Sequence, residues 1–158
     1  MHFQFFNPQP VLAPYIQHYW IMESDENEDI VTERVIPTVN VQLLFHYGNP
    51  FCATNALKME SSQPRSLISG LTTHFFDAST QGKTGVLAVV FYPLGACNFF
   101  RFSMSELEDL TLNLDDVFHN EMANIEEQLF LANSNHTRVQ IIESFLLKKI
   151  GLRPTYDL

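Results

Sequence analysis

The sequence predicts an α+β protein in which strands come first and helices last. A β-barrel or sandwich is expected over residues 1–100, followed by a helical subdomain over residues 101–151. Up to Pro93, apolar residues recur at every second position or in short valine-rich runs bounded by Gly, Pro and Asn, which is strand patterning. Beyond Leu94 the spacing changes to three and four, which is the period of amphipathic helices. The stretch from Arg34 to Phe51 organises the first part: a Pro37 break, a run rich in β-branched and aromatic residues, and a closing Gly48-Asn49-Pro50 turn.

In chain order, Asn7-Pro8-Gln9-Pro10 is an extended lead-in and Leu12-Ala13-Pro14 a short turn. Tyr15 to Met22 is the first strand, with Tyr15, Gln17, Tyr19 and Ile21 on one side and Ile16, His18, Trp20 and Met22 on the other. The acid-dense Glu23 to Asp29 is a solvated hairpin loop, and its carboxylate spacing without a turning glycine does not suit calcium. Ile30 to Ile36 is a second strand. Val39 to Tyr47 follows, its apolar face made by Val39, Val41, Leu43, Phe45 and Tyr47. Asn40, Gln42, Leu44 and His46 form a mixed face that suits solvent or a partly polar cavity. Further strands are expected at Phe51 to Leu57, at Leu67 to Thr72 with a bulge at Gly70, and at His74 to Ala78, with a polar connection from Lys58 to Ser66. Gly85 to Tyr92 has no polar member until its end, so it reads as a central strand buried on both faces.

The helical part opens with a short turn over Leu94 to Phe100 and a capping-box arrangement at Ser103-Met104-Ser105-Glu106. A helical turn at Leu114 to Phe118 carries early acids Asp115 and Asp116, favoured at a helix start. Glu121 to Leu131 is amphipathic through Met122, Ile125, Leu129 and Phe130. The last helix, His136 to Ile150, aligns Val139, Ile142, Leu146 and Ile150, widened by Ile141 and Phe145, and stops at Gly151.

Totals narrow the function. A chain of 158 residues, 46% hydrophobic and 17% charged, suits one globular domain with a real core. Net charge is −9, with 8 acids against 4 bases in residues 1–100 and 10 against 5 in 101–158, so no basic surface is available for a phosphate backbone. No apolar run is long enough to span a bilayer, and the first residues lack the layout of a signal peptide, so a cytoplasmic location is expected. Cys52 and Cys97 are too few for a disulfide scaffold and read as buried thiols.

Catalytic constellations are hard to assemble. His18, His46 and His74 fall on different strands but lack metal-ligand spacing, and satisfied or surface histidines are the preferred reading. There is no nucleophile elbow and no phosphate-cradling glycine loop. Glu33 and Arg34 read as an ion pair at a strand end or as a hold for a polar ligand. No catalytic residue, metal or cofactor is expected.

Several segments resemble one family. Leu12-Ala13-Pro14-Tyr15-Ile16 through Tyr19-Trp20 looks like the opening of the N-terminal domain of AraC-type bacterial transcription regulators. Arg34-Val35-Ile36-Pro37 with Val41-Gln42-Leu43-Leu44-Phe45 resembles that family's Arg-x-x-Pro-Asp-Gly-x-x-Asp-Leu-x-Phe segment. Ile68-Ser69-Gly70 and Gly85-Val86-Leu87-Ala88-Val89-Val90-Phe91-Tyr92-Pro93-Leu94-Gly95-Ala96 are similar to further motifs, and Glu143 to Pro154 to the last sensor helix and linker. Thr38-Val39 stands where Asp-Gly is common, and Leu94 where the family has glycine. The resemblance implies a cupin-like barrel, a helical dimer surface, and DNA binding only through a C-terminal helix-turn-helix half not contained in these 158 residues, with residues 152–158 as the start of the linker.

The expected role is therefore a regulatory domain, not an enzyme, that binds an unknown small-molecule effector and forms a homodimer. Candidate lining residues are Trp20, Gln42, His46, His74 and Tyr92. The dimer surface is expected at Val139, Ile142, Phe145 and Leu146, so that Asp at 142 and 146 together would give a folded monomer. The alternative is a small cupin-type metal-dependent enzyme.

Overall fold

The computed structural model describes residues 1–100 and 104–151. Ten strands form two antiparallel sheets, and three helices close the described chain. The larger sheet runs β1 (His2–Phe6), β2 (Ile16–Ser24), β9 (Thr84–Phe91), β4 (Gln42–His46), β7 (Ser66–Ser69) and β10 (Thr111–Asn113) in spatial order. The smaller is ordered β3 (Thr32–Val35), β8 (Phe76–Ser79), β5 (Cys52–Asn55) and β6 (Glu60–Ser62). The two sheets flank a common cavity without closing into a barrel among the described residues. Helices α1 (Leu114–Val117), α2 (Met122–Leu131) and α3 (Asn135–Gly151) cover the other face of the larger sheet.

Strand β9 sits at the centre of the larger sheet because every residue of its valine-rich run is buried, as its unbroken apolar pattern predicts. Its alternate residues feed two cores. Leu87, Val89 and Phe91 join the cluster under the helices, while Val86 and Ala88 join a smaller cluster facing the second sheet. Strand β4 divides the same way. Val41, just before it, and Leu43 and Phe45 face the helices, whereas Leu44 packs in the smaller cluster. The prediction of an apolar and a mixed face holds for this stretch, except that Val39 lies outside the strand and is exposed.

Other expectations need correction. His2–Phe6, ahead of the expected lead-in and given no element from the sequence, pairs along β2. The acidic loop joins β2 to a strand of the other sheet, so it is a crossover and not a hairpin. A register break at Gln17 places Ile16 on the same core as Tyr19 and Ile21, where strict alternation would separate them. Gly70 ends β7 instead of bulging it: a Cβ there would run into the backbone and Cβ of Leu107. Strand β6 lies in the stretch read as a polar connection, and β10, inside the expected helical subdomain, extends the larger sheet. Ser103 of the expected capping box and the expected linker 152–158 lie outside the described residues.

The helix layer is fixed to the sheet by a buried polar contact. Tyr19 Oη donates to Glu143 Oε2 at 2.9 Å, and the same oxygen accepts from Gln9 N at 2.9 Å. Burial, then the facing Glu143 carboxylate, push the Tyr19 hydroxyl well above the ordinary phenol range, so it stays a donor. Ser134 Oγ accepts from Thr137 N at 3.1 Å at the start of α3, and the Arg138 guanidinium donates to Leu129 O and Ala132 O, tying α3 to the end of α2.

That layer takes up the side chains expected at a dimer surface. Val139, Ile142, Phe145 and Leu146 all belong to this protein's own core under the larger sheet, with Ile142 and Leu146 at 0% exposure. The breadth of the stripe is explained by a helix packed against both a sheet and α2. Phe130, expected on the buried face of α2, is instead exposed.

Leu94 adopts φ 67° and ψ −5°, the left-handed region where glycine is favoured, and is 71% exposed. A branched side chain gains nothing there and is strained by roughly 1 kcal/mol or more. Leu94→Gly is expected to stabilise the protein by about 0.5–1 kcal/mol in urea denaturation, the entropy of glycine offsetting part of the relief. A destabilised variant would mean that Leu94 makes contacts its exposure denies.

Candidate functional site

The site is a cavity of about 170 Å³ between the two sheets. Its floor is the mixed face of the larger sheet. Trp20, Leu44 and Leu67 supply an apolar band, with Ala88 between Trp20 and Leu44 in the register. The next band is polar: Gln42 pairs with Ser69, and Ser69 with Thr111, across β4, β7 and β10. Directly opposed residues of this kind stand about 5 Å apart, so three hydrogen-bonding side chains lie side by side. The roof is the smaller sheet, through Val31, Glu33 and Val35 before and along β3, and Phe76, Ala78 and Thr80 in and after β8.

Many of the polar groups here are already engaged. Thr80 Oγ1 accepts from Val31 N at 3.0 Å, Thr72 Oγ1 from Thr38 N at 2.9 Å, and Asn40 Nδ2 donates to Gln17 Oε1 at 3.3 Å. Gln42, Ser69, Thr111 and Glu33 are different: among the described residues their side chains have no hydrogen-bond or ion-pair partner. Glu33 is exposed, which puts it where the cavity opens, and among the described residues it is the one acidic or basic side chain in the lining. Its neighbour Arg34 points outward. There Nε donates to Asp77 Oδ1 at 3.0 Å, the guanidinium lies 4.1 Å over Phe75, and Asp77 is held below the usual carboxylate range by that hydrogen bond. The sequence reading of Glu33 and Arg34 as a mutual pair is therefore corrected: strand alternation sends them to opposite faces.

Of the five side chains expected to line a site, Trp20 and Gln42 do so. His46 is buried one layer behind the wall, with Nε2 3.0 Å from Gln63 Oε1 and its ring edge-on to Phe51 at 4.9 Å; both partners line the cavity. Its Nδ1 is buried without a partner, and burial, which outweighs the Gln63 hydrogen bond, pulls its pKa down to about 4, helped by nearby Arg65. His74 and Tyr92 are elsewhere. β8 begins only at Phe76, which leaves His74 in an exposed loop 2.9 Å from Thr73 Oγ1 and 3.6 Å from Asp109 Oδ2. β9 ends at Phe91, so Tyr92 turns out of the sheet into solvent. His18, with its ring 5.8 Å from Phe5, also stands apart, and among the described residues no group of three or more His, Cys, Asp or Glu could hold a metal.

Ser69 and Thr111 escaped sequence reasoning, the first because it was read only within the Leu67–Thr72 strand and the Ile68-Ser69-Gly70 motif, the second because β10 is a three-residue polar strand. The signal for Ser69 was its place on the mixed face next to Gln42. A second, wider groove of about 710 Å³ lies between the β-turns and α2. Its central groups satisfy one another: Tyr47 Oη donates to Glu23 Oε1 at 2.7 Å, and the Arg138 guanidinium stacks 4.0 Å over Tyr47. It leaves no convergent set like that in the inter-sheet cavity.

Residues 4–113 match a family model described as a domain of unknown function, DUF6597. No curated protein matches the chain. The matched span contains every cavity-lining residue except Met1 and Phe3 and stops before α1. By that match over most of its length, the chain belongs to the DUF6597 family.

Proposed function

We propose that the domain is a sensor: it takes a small organic molecule between its two sheets and serves as the effector-binding half of an AraC-type transcription regulator. One observation carries the reading, namely a cavity whose floor presents a band of hydrogen-bonding side chains without protein partners next to a band of apolar ones. Leaving such groups unpaired costs about 1–3 kcal/mol each once water is displaced, so a ligand that supplies partners is favoured over an apolar filler. The size fits one ring, since a cavity of about 150 Å³ holds benzene.

The cupin-like assignment, the dimer and the DNA-binding half come from the resemblance of the Arg34–Phe45 and Gly85–Ala96 segments. Two facing antiparallel sheets followed by helices are compatible with it. A cytoplasmic location goes with the same reading, and no helix among the described residues is long and apolar enough to cross a membrane.

A thermal-shift screen of small metabolites and metal ions tests the sensing role. A compound present at a hundredfold its Kd is expected to add about 2.7 kcal/mol, several degrees in melting temperature. Gln42→Leu with Ser69→Ala should abolish that shift while the free protein still melts cooperatively. A screen in which organic compounds move nothing, or a shift that survives the double substitution, would remove the sensing role.

A further inference from the structure

Building on the cavity as the ligand site, we infer that its ligand is a small single-ring organic cation, with the ring over Trp20 and a protonated amine at Glu33. Charge is the first argument. Among the described residues the lining contains no Lys, Arg or His side chain, and Glu33 has no cationic partner. Among the described residues the cation in the lining is the Met1 ammonium, and Glu28 already holds it. An anionic ligand would meet an uncompensated carboxylate with nothing to neutralise its own charge. A cationic one removes that repulsion and gains the attraction, less the hydration it gives up.

The aromatic wall points the same way. Trp20 and Phe3 stand with ring centroids 6.1 Å apart and planes inclined at 52°, and both line the cavity. Aromatic faces attract cations and stack on planar rings, so this corner favours the same class of ligand as the carboxylate does. The polar band of Gln42 and Ser69 offers both a donor and an acceptor to a ring substituent. The whole chain, at −9, adds a field that draws cations and repels anions.

The test uses three ring-sized probes that differ in charge: benzylamine, benzyl alcohol and benzoate. Trp20 is the sole tryptophan, so its fluorescence reports binding at the cavity directly. Benzylamine is expected to give a saturable change, roughly fivefold tighter than benzyl alcohol, as a partly exposed ion pair warrants. Benzoate should give none. Glu33→Gln should bring amine and alcohol to equal affinity without altering the melting temperature, because Glu33 supports no other group. If benzoate binds as well as benzylamine, or if Glu33→Gln keeps the amine preference, the charge inference fails while the cavity reading stands. If none of the probes disturbs Trp20 or the melt, both fail.

Discussion

Ile142→Asp is expected to leave the chain without a cooperative thermal transition. Ile142 is wholly buried on α3, within the cluster that joins the helices to β2, β9 and β4. An aspartate there removes a branched apolar side chain and places a carboxylate inside an apolar cluster. The lost packing alone costs about 2–5 kcal/mol, and the unpaired polar group adds several more. Against the 5–15 kcal/mol typical of a domain, this is enough to unfold it, and Leu146→Asp on the next turn has the same consequence. Size-exclusion and far-ultraviolet circular dichroism of the double variant check the point: aggregated or unfolded material is expected, not the folded monomer that a dimer seam would give. Ser144→Asp, on the exposed face of the same helix, is the control and should melt like the parent. A folded, monomeric Ile142→Asp/Leu146→Asp protein would restore the stripe as an intermolecular surface.

The stripe on α3 illustrates what periodicity conveys. A spacing of three and four says that one face of a helix is covered, and it was right about which residues those are. It carries nothing about whether the cover is the protein's own sheet or a second copy. The same limit applies within the sheets. β9 was legible because eight consecutive residues suit burial on both faces, and β4 because its two faces differ in chemistry. β6 and β10, three residues each and mainly polar, are strands because longer neighbours offer them hydrogen bonds, which is a tertiary cause.

Parity gave the site where strands persist and misled where they stop. Gln42 and Trp20 line the cavity, and each lies inside a paired segment. His74 and Tyr92 were extrapolated past the first and last paired residues of β8 and β9, where alternation no longer applies. Glu33 was noticed for its charge, and of its two readings, a pair with Arg34 or a hold for a polar ligand, the pair fails because adjacent residues on a strand face opposite ways. The cavity itself, a gap between two sheets, depends on how far apart they pack, and no local pattern encodes that distance.

His46 should make the protein markedly less stable in mild acid. Folded, its pKa is about 4, set first by burial and then by Arg65, against a reference near 6.5; the Gln63 hydrogen bond only partly offsets the fall. Between those values the unfolded chain binds a proton that the folded one refuses. Stability is therefore fully present above pH 6.5 and lost as pH falls towards 4, by about 1.4 kcal/mol per pH unit and on the order of 3 kcal/mol in all. Carboxylates titrate in the lower part of the same window, so the measurement is a difference. Urea denaturation of the parent and of His46→Leu at pH 7.5, 6, 5 and 4 should give curves that converge in acid as the parent loses its advantage. Parallel curves would show that His46 gains a proton in the folded state as readily as in the unfolded. The lone buried Nδ1 makes that outcome physically costly, since an added proton would find no acceptor there. Because Gln63 and Phe51 contact the ring and line the cavity, the same acid range should weaken ligand binding in the parent and spare it in His46→Leu.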